Sequence, residues 1–379
     1  MLKRDDSETG FEHIVYGREG LQDLLPQWRD LAMRAAEDCV YYSPDYALAL
    51  LGSVAARTKV RIVTCWSGGR LMGLLPVTLN SLSVPGLIAA GAAWQTDYSF
   101  SCTPLLDGIQ TTAAAESLVT ALASLKPGEW VLPDINTEAP AARALLAALA
   151  KRGAPWRIEN DFERASLSTG LSFEEHMQSR VASKRRRELA RNRRRLEDIA
   201  PLTLRTETHG KGLADAAQAF LALEASGWKG ERGTALACAP DTKRFAELAF
   251  GNAAEEGRAR IDLLLLDGKP IAAGCIVFAG RTGFTVKGAY DEAYASHSAG
   301  LVLEQEVIKS FLTGKWADRL DAATNGSHVI DYLWPDRVKV GTLSFSLARR
   351  GADARLAALS RTNAHLRNAK ARLKALLKR

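Results

Sequence analysis

The chain has 379 residues, of which 47% are hydrophobic, and a formal net charge of +7. This length predicts two domains rather than one, and the hydrophobic content is sufficient for two buried cores. The first residues do not have the apolar core of a signal peptide and no apolar run is long enough to cross a bilayer, so we expect a cytoplasmic protein, with a position peripheral to the inner membrane as the alternative. The five cysteines have no metal-binding spacing, which argues against a disulfide framework and a zinc site; we expect small core residues and no metal.

The N-terminal half begins with an amphipathic helical pattern from Leu21, and a strand, glycine turn and strand, RIVTCWSGGRLMGLLPV, follow from Arg61. The C-terminal half repeats this order, with a helical segment from Leu213 and RIDLLLLDGKPIAAGCI from Arg260. The two hairpin segments superpose without a gap at an offset of 199 residues. The repeat predicts two similar α/β units in tandem, against the alternative of a chance match between common patterns.

Between the halves, the segment from Lys184 to Arg195 has eight basic residues and one acidic residue, so its charge of +7 equals that of the whole chain. Three interpretations compete. The segment is a solvated linker helix, a surface that binds the phosphates of a donor substrate or of a lipid-linked acceptor substrate, or a stripe that binds RNA. Leu189 and Leu196 supply an apolar contact line, and no aromatic residue is interleaved for base stacking. We favour a linker helix with a phosphate-facing side and expect no sequence-specific nucleic-acid recognition. The candidate substrate contacts are Arg186, Arg187 and Arg194.

The second hairpin is followed by another strand, a polar loop and a helix that opens at Leu301. Backbone N–H groups at a helix N-terminus, together with the helix dipole, favour a bound phosphate. This order of elements is the one with which an acyl-CoA transferase holds pyrophosphate. The N-terminal half has no comparable loop, so we expect the donor site in the second half and an acceptor groove shaped by the first. The candidate cofactor-binding residues are Lys287, Tyr290, His297, Ser298, Ala299, Gly300 and Leu301.

The tail from Arg349 to Arg379 has ten basic residues and one acidic residue. Its leucines fall on the a and d positions of a heptad, at Leu356, Leu359, Leu366, Leu373 and Leu377. The tail is predicted to be a basic amphipathic helix that associates with itself, docks on a partner or on the body, or lies on an anionic membrane. Docking is favoured over membrane binding, since no Trp or Phe lies in the apolar stripe.

Four segments carry a family resemblance: LEASGWKG from Leu223, DGKPIAAG from Asp267, KGAYDEAYASHSAG from Lys287 and RLDAATNGSHVIDYLW from Arg319. In order and spacing they resemble the GNAT-type acyltransferases, specifically the CelD-like acetyltransferase group, which is similar to the Fem-type peptidyltransferases. Two further segments, GGRLMGLLPV from Gly68 and SRVASKRRRELARNRRRLE from Ser179, extend the resemblance over nearly the whole chain. It implies an α/β fold of two tandem GNAT-like domains, each a mixed central sheet flanked by helices. The expected parts are an N-terminal domain with a degenerate donor site (1–170), a basic linker (171–200), an acyl-CoA-binding domain (201–348) and the tail (349–379).

The resemblance also implies the reaction. An acyl group, in the first place acetyl, would pass from acyl-CoA to an amine or hydroxyl of a small-molecule, sugar or envelope-precursor acceptor in bacterial polysaccharide or envelope synthesis. Aminoacyl-tRNA-dependent transfer of the Fem type and a non-catalytic scaffold are the alternatives. Fem-type relatives have a Lys-x-x-Phe-Gly signature, whereas this chain has Arg337-Val338-Lys339-Val340-Gly341. That departure favours a CoA or carrier-protein donor, while Arg337 keeps a positive charge for phosphate or an oxyanion.

An amide-forming acyltransferase needs a group that takes the proton of the amine nucleophile. No Ser-His-Asp or Cys-His arrangement is recognisable, which argues against a hydrolase with a covalent intermediate. Asp321 is the first candidate base, with a structural carboxylate as its alternative, and His328 is the second. Glu224, Trp228 and Lys229 end a predicted helix; Glu224 is a third catalytic candidate, and Trp228 and Lys229 are candidates for substrate binding.

Overall fold

The computed structural model describes residues 2–6, 10–79, 90–251, 258–326 and 328–376. The chain forms two compact units. The first comprises Met1–Tyr42, Lys59–Phe162 and Lys339–Arg379, and the second comprises Ser43–Thr58 and Glu163–Val338. The four-part division expected from the sequence stays a prediction about independently folding domains.

Helices and strands alternate along the described chain. The helices are α1 (Leu21–Met33), α2 (Pro44–Leu51), α3 (Thr111–Ala123), α4 (Pro140–Lys151), α5 (Phe173–Arg180), α6 (Ser183–Glu197), α7 (Gly210–Ser226), α8 (Trp228–Glu231), α9 (Pro240–Ala246), α10 (Ala299–Gly314) and α11 (Ala352–Leu376). The strands are β1 (Leu2–Asp6), β2 (Phe11–Tyr16), β3 (Val60–Ser67), β4 (Arg70–Leu79), β5 (Gly91–Ala93), β6 (Leu105–Leu106), β7 (Glu129–Asn136), β8 (Trp156–Ser168), β9 (Leu202–Glu207), β10 (Ala259–Leu266), β11 (Lys269–Ala279), β12 (Thr282–Tyr290), β13 (Arg319–Asp321) and β14 (Asp336–Ser346).

Each unit has a mixed sheet. In the first unit the strand order is β1-β2-β3-β4-β5-β7-β14, with β5 and β7 parallel. In the second unit it is β8-β13-β12-β11-β10-β9, with β12 and β13 parallel. Helices α7 and α10 both pack on strands β10, β11 and β12. The prediction of an α/β fold with mixed sheets flanked by helices is confirmed.

The two predicted hairpins share more than their turn. Gly68 and Gly69 have positive φ angles of 55° and 75°, and Asp267 and Gly268 have φ angles of 50° and 73°, so both hairpins turn through two left-handed residues. The ladder of β3 and β4 shifts register between Cys65 and Trp66. The ladder of β10 and β11 shifts between Leu264 and Leu265, at the same offset of 199 residues. The matching irregularity supports a duplicated unit, because a bulge is not required by a hairpin as such.

Strands β12 and β13 separate after a short contact. They pair in parallel only over Thr282–Phe284 and Arg319–Asp321, and β12 then continues to Tyr290. In β12, Val286 is an extra residue, since Cys275 pairs with Lys287 while Ile276 pairs with Thr285. The sheet of the second unit is therefore open between the end of β12 and the segment that follows β13.

Four of the cysteines, Cys39, Cys65, Cys102 and Cys275, are buried as expected, but Cys238 is exposed, so the prediction of a core role is wrong for that residue. Helix α11 is present, and Leu356 and Leu359 are buried within the first unit. Arg355 at its start donates from Nη2 to Oε2 of the buried Glu129 at 2.8 Å. The side chains of Leu366 and Leu373, and all of Leu377, lie outside the described residues. Over the part of the chain that is described, no helix combines the length and apolar character needed to span a membrane.

Candidate active site

A cavity of about 610 Å³ lies in the second unit where β12 and β13 separate. Its wall is formed by β11, β12, the end of α7, the start of α10 and the segment after β13. The fold brings ten of the predicted site residues to this wall: Glu224, Trp228, Lys229, Lys287, Tyr290, Ser298, Ala299, Gly300, Leu301 and His328. Asp321, His297, Arg337, Arg186, Arg187 and Arg194 do not line it.

The loop before α10 presents a helix N-terminus to the cavity. A 3-10 helix over Glu292–His297 is followed by Ser298, whose φ of 49° and ψ of 47° are left-handed, and α10 starts at Ala299 without a side-chain cap among the described residues. The Ser298 carbonyl accepts from the amides of Leu301 and Val302 at 2.8 and 3.1 Å. A Cβ atom on Gly300 would have only ordinary contact with the Tyr290 ring, at 3.8 Å. Uncapped N–H groups therefore lie beside open space.

On the α7 side, one carboxylate contacts two ammonium groups. Glu224 is fully buried, and its Oε1 accepts from Lys287 Nζ at 2.9 Å and lies 3.5 Å from Lys229 Nζ. Its Oε2 accepts from the backbone amide of Leu236 at 2.8 Å. Burial lowers the pKa of Lys229 and the Lys287 charge lowers it further, while Glu224 acts in the opposite direction. Because both of its oxygens are occupied by partners within the protein, Glu224 is poorly placed to contact a proton of the substrate.

On the α10 side, a partly buried glutamate was missed by the sequence reasoning. Glu304 lines the cavity, and its Oε1 accepts from the indole Nε1 of Trp334 at 2.8 Å. Burial raises the pKa of Glu304 to about 7; nearby Asp262 adds to the shift and the Trp334 hydrogen bond opposes it. The signal was present, since Glu304 lies three and four residues before the buried Val307 and Ile308, within an apolar helix face.

Asp321 has a structural position. It is 2% exposed, and Arg164 binds both of its oxygens, with Nε–Oδ1 at 2.7 Å and Nη2–Oδ2 at 2.9 Å. Its Oδ1 also accepts from the amide of Ala323 at 2.8 Å. Both oxygens of Asp321 are therefore held by partners within the protein. The geometry thus favours the structural alternative, with Arg164 as the partner of Asp321.

His328 lines the cavity and is exposed, but its Nδ1 accepts from the amide of Ile330 at 3.3 Å. In the neutral ring Nε2 then carries the hydrogen and can donate but not accept. His297 lies in the loop with its Nδ1 3.1 Å from Ser296 Oγ. Arg337 is exposed and donates from Nη1 to the carbonyls of Trp334 and Asp336 at 2.7 and 2.8 Å. None of the three is placed to take a proton in the cavity.

The predicted basic helix is α6. It buries Leu189, Asn192 and Leu196 and packs against α10 and the 3-10 helix over Glu292–His297. Arg193 makes an ion pair with Glu306 of α10. The side of α6 that faces away from these buried residues carries a stripe of cations. Five exposed basic side chains lie within an arc of about 100° around the helix axis: Lys184, Arg187, Arg191, Arg194 and Arg195. Arg186 is partly buried and lies off this stripe.

In the first unit, the carboxylate of Asp107 lies just before α3. This helix follows the hairpin of β3 and β4 along the chain, as α10 follows the hairpin of β10 and β11. Asp107 Oδ1 accepts from the amides of Ile109 and Gln110 at 3.0 and 2.7 Å, just before α3. Arg34 pairs with the same carboxylate. These contacts place a carboxylate directly before the first residue of α3, Thr111.

Comparison with known proteins identifies the site-bearing region. Residues 183–325 match the family model described as an acetyltransferase (GNAT) domain. This part of the chain has the GNAT fold. It contains α6, α7, the hairpin of β10 and β11, the loop before α10 and α10 itself, so most of the cavity wall belongs to the matched region. Membership of the CelD-like group stays a prediction, and no curated protein sequence matches the chain.

Three solved structures are similar over most of the chain. The C-terminal domain of a putative lysylphosphatidylglycerol synthetase from Agrobacterium fabrum has a TM-score of 0.54 at 12% identity, covering 89% of this chain and 94% of that chain. FemX has a TM-score of 0.54 at 12% identity, with coverages of 84% and 95%. A conserved protein of unknown function from Bacteroides thetaiotaomicron has a TM-score of 0.52 at 13% identity, with coverages of 88% and 100%. At these identities the likeness concerns the fold.

Proposed function

We propose that this protein transfers an acyl group, in the first place acetyl, from acyl-CoA to an amine or hydroxyl of an acceptor. The observation that carries the proposal is the cavity at the separation of β12 and β13, with the uncapped N-terminus of α10 on its wall. The amides of Ala299 and Gly300 would bind the pyrophosphate, and the opening between the strands would hold the thioester arm. Gly300 would allow close approach because it has no side chain.

Glu304 is our choice for the proton acceptor, in place of Asp321. In the reaction the acceptor nitrogen attacks the thioester carbonyl, a C–N bond forms, and the C–S bond breaks with its electron pair on sulfur. Glu304 would take the proton from nitrogen and return it to the leaving thiolate. A pKa near 7 suits both transfers at neutral pH. The bulge at Val286 leaves a residue outside the ladder on the cavity wall, and its amide is a candidate donor to the carbonyl oxygen.

A second donor, aminoacyl-tRNA, is favoured by one observation. The exposed cation stripe of α6 belongs to a helix that packs against the proposed phosphate loop. A polyanionic donor would extend from that loop along such a stripe, whereas CoA has phosphates only at one end. The arginine in place of the Fem-type signature lysine argues for CoA. Polysaccharide or envelope synthesis is the setting that we propose for either donor.

Calorimetry with CoA tests the proposal. Gly300→Asp would place a carboxylate at the pyrophosphate position and should weaken CoA binding at least about 10-fold. Gly300→Ala is the matched control, because its Cβ meets only the Tyr290 ring at 3.8 Å within the protein and adds no charge, so it should weaken CoA binding less than Gly300→Asp does. Unchanged affinity in a folded Gly300→Asp variant would show that the site is wrong. Turnover with purified aminoacyl-tRNA but not with acyl-CoA would establish the second donor.

A further inference from the structure

The Lys229, Lys287 and Glu224 cluster on the cavity wall has an excess of one positive charge. Glu224 is fully buried, whereas the lysine side chains are 23% and 21% exposed. All three residues line the cavity. If the cluster served only to hold α7, α8 and β12 together, Glu224 and a single lysine would be sufficient and the cluster would be neutral. A second lysine would not be expected there, since removing a cation from water costs free energy.

Both ammonium groups retain hydrogen-bonding capacity. Lys229 Nζ donates to the carbonyl of Gly288 at 2.5 Å and lies 3.5 Å from Glu224 Oε1. Lys287 Nζ donates to Glu224 Oε1 at 2.9 Å and to the carbonyl of Thr234 at 3.2 Å. An ammonium group has three N–H donors, so acceptors among the described residues use two on each lysine. One donor per lysine is left at the wall of the cavity.

We propose that Lys229 and Lys287 bind a carboxylate of the substrate, a proposal that rests on the acyl transfer proposed above. Because both Nζ atoms approach the same Glu224 oxygen, they are close enough for the two oxygens of one carboxylate. A monoanion makes the cluster neutral. A phosphate monoester, which is a dianion at neutral pH, would leave a negative excess beside a buried glutamate, so a carboxylate fits the charge better than that group does.

The carboxylate has two sources in an acyl transfer. It belongs either to the acyl group of the donor, as in a dicarboxylic acyl-CoA, or to the acceptor, as in an amino acid or an amino sugar acid. The ring of Trp228 lies beside the cluster, with Lys229 Nζ 5.8 Å and the Arg232 guanidinium carbon 5.1 Å from its centre, and the exposed part of the ring would contact the rest of either molecule.

Matched ligand pairs distinguish the sources. In the donor arm, calorimetry compares succinyl-CoA with butyryl-CoA; in the acceptor arm, an NMR titration compares glutamate with glutamine and an amino sugar uronate with its parent amino sugar. We expect the wild type to prefer the carboxylate by about 10- to 100-fold in one arm. Equal binding of carboxylate and neutral partner in both arms overturns the proposal, and this comparison needs no variant.

Charge variants test the assignment to these residues. Lys287→Met should reduce the preference to about one, whereas Glu224→Gln, which leaves two cations and no anion, should preserve or increase it. Lys309→Met, at an exposed position of α10, is the control and should behave as the wild type. If Glu224→Gln and Lys287→Met both keep the wild-type preference, the carboxylate binds elsewhere. Binding of CoA itself should survive in Glu224→Gln and Lys309→Met, and its absence in the wild type would refute the proposed function while the acceptor arm still decides on the carboxylate site.

Discussion

Replacing Glu304 by glutamine tests the role of the proposed base without changing any other group in the cavity. The amide keeps the shape and the oxygen that accepts from Trp334, so fold and CoA binding should persist. Loss of a positioned base should lower turnover by roughly 10²–10⁴-fold. Release of the CoA thiol, followed with a panel of amino sugars and amino acids, measures this rate.

The same substitution should make the protein more stable at alkaline pH. The pKa of Glu304 is raised from 4.5 to about 7 in the folded state, so the folded protein holds this proton more tightly than the unfolded chain does. The contribution of Glu304 to the free energy of unfolding therefore falls as the pH rises from about 4.5 to about 7. Above that pH the loss of stability is constant. The shift corresponds to about 3 kcal/mol, or about 2 kcal/mol after allowance for solvent in the cavity.

Urea unfolding at pH 5 and pH 8 checks the sign. Glu304→Gln should gain stability relative to the wild type at pH 8 and little at pH 5. Glu306→Gln, two residues away and paired with Arg193, is the control and should not gain stability at pH 8. An NMR titration of the wild type should place the Glu304 carboxyl near pH 7. A normal carboxyl pKa, or turnover of Glu304→Gln within about threefold of the wild type, would refute the assignment.

Three other substitutions test the surrounding structure. Asp321→Asn should destabilise the protein by about 3 kcal/mol or more, because Arg164 would be left buried without its anion, whereas Asp318→Asn in an exposed pair should cost under about 1 kcal/mol; urea unfolding compares them. Replacing Arg187, Arg191 and Arg194 by Gln should flatten the salt dependence of donor binding in calorimetry, and an unchanged slope would leave α6 as a solvated linker. Ser298→Gly should stabilise the left-handed loop by up to about 1 kcal/mol in thermal unfolding, while a loss of stability would contradict the argument from φ.

Local signals account for the elements that were predicted well. The turn at Asp267 and Gly268 is readable because two-residue hairpins need left-handed residues, and the loop and helix up to Gly314 follow from adjacent residues. Ten of the predicted site residues line the cavity, and they lie on segments that could be recognised from adjacent residues.

Contacts between distant residues account for the misses. Asp321 finds its partner 157 residues earlier, and Glu304 is paired with an indole 30 residues later. The segment Ser43–Thr58 joins the second unit through Tyr46, whose ring lies 5.5 Å from that of Phe245, and through Asp45, which pairs with Arg258 at 3.1 Å. The hydrophobic periodicity of the sequence cannot predict such pairings, because each pairing depends on how the whole chain brings two distant side chains together.

The extra residue in β12 determines which wall of the cavity receives Lys287. Thr285 pairs with Ile276 and Lys287 pairs with Cys275, so two residues that would share a face of a regular strand point to opposite faces. Thr285 faces the side of Ile276, which packs in the core with α10, and Lys287 faces Glu224 on α7. The bulge at Val286 thus aims the lysine at the glutamate.

Deleting Val286 should turn Lys287 to the other face and remove one cation from Glu224. We expect the free energy of unfolding to fall by about 3 kcal/mol. This is the lower end of the range for a broken buried ion pair, because Lys229 and the Leu236 amide still contact Glu224. Val286→Ala keeps the bulge and is the control. If aiming Lys287 is what the bulge does, adding Lys287→Met to the deletion should cost little more, since the interaction is already lost. Additive losses in urea unfolding would show that the bulge stabilises the strand by some other contact.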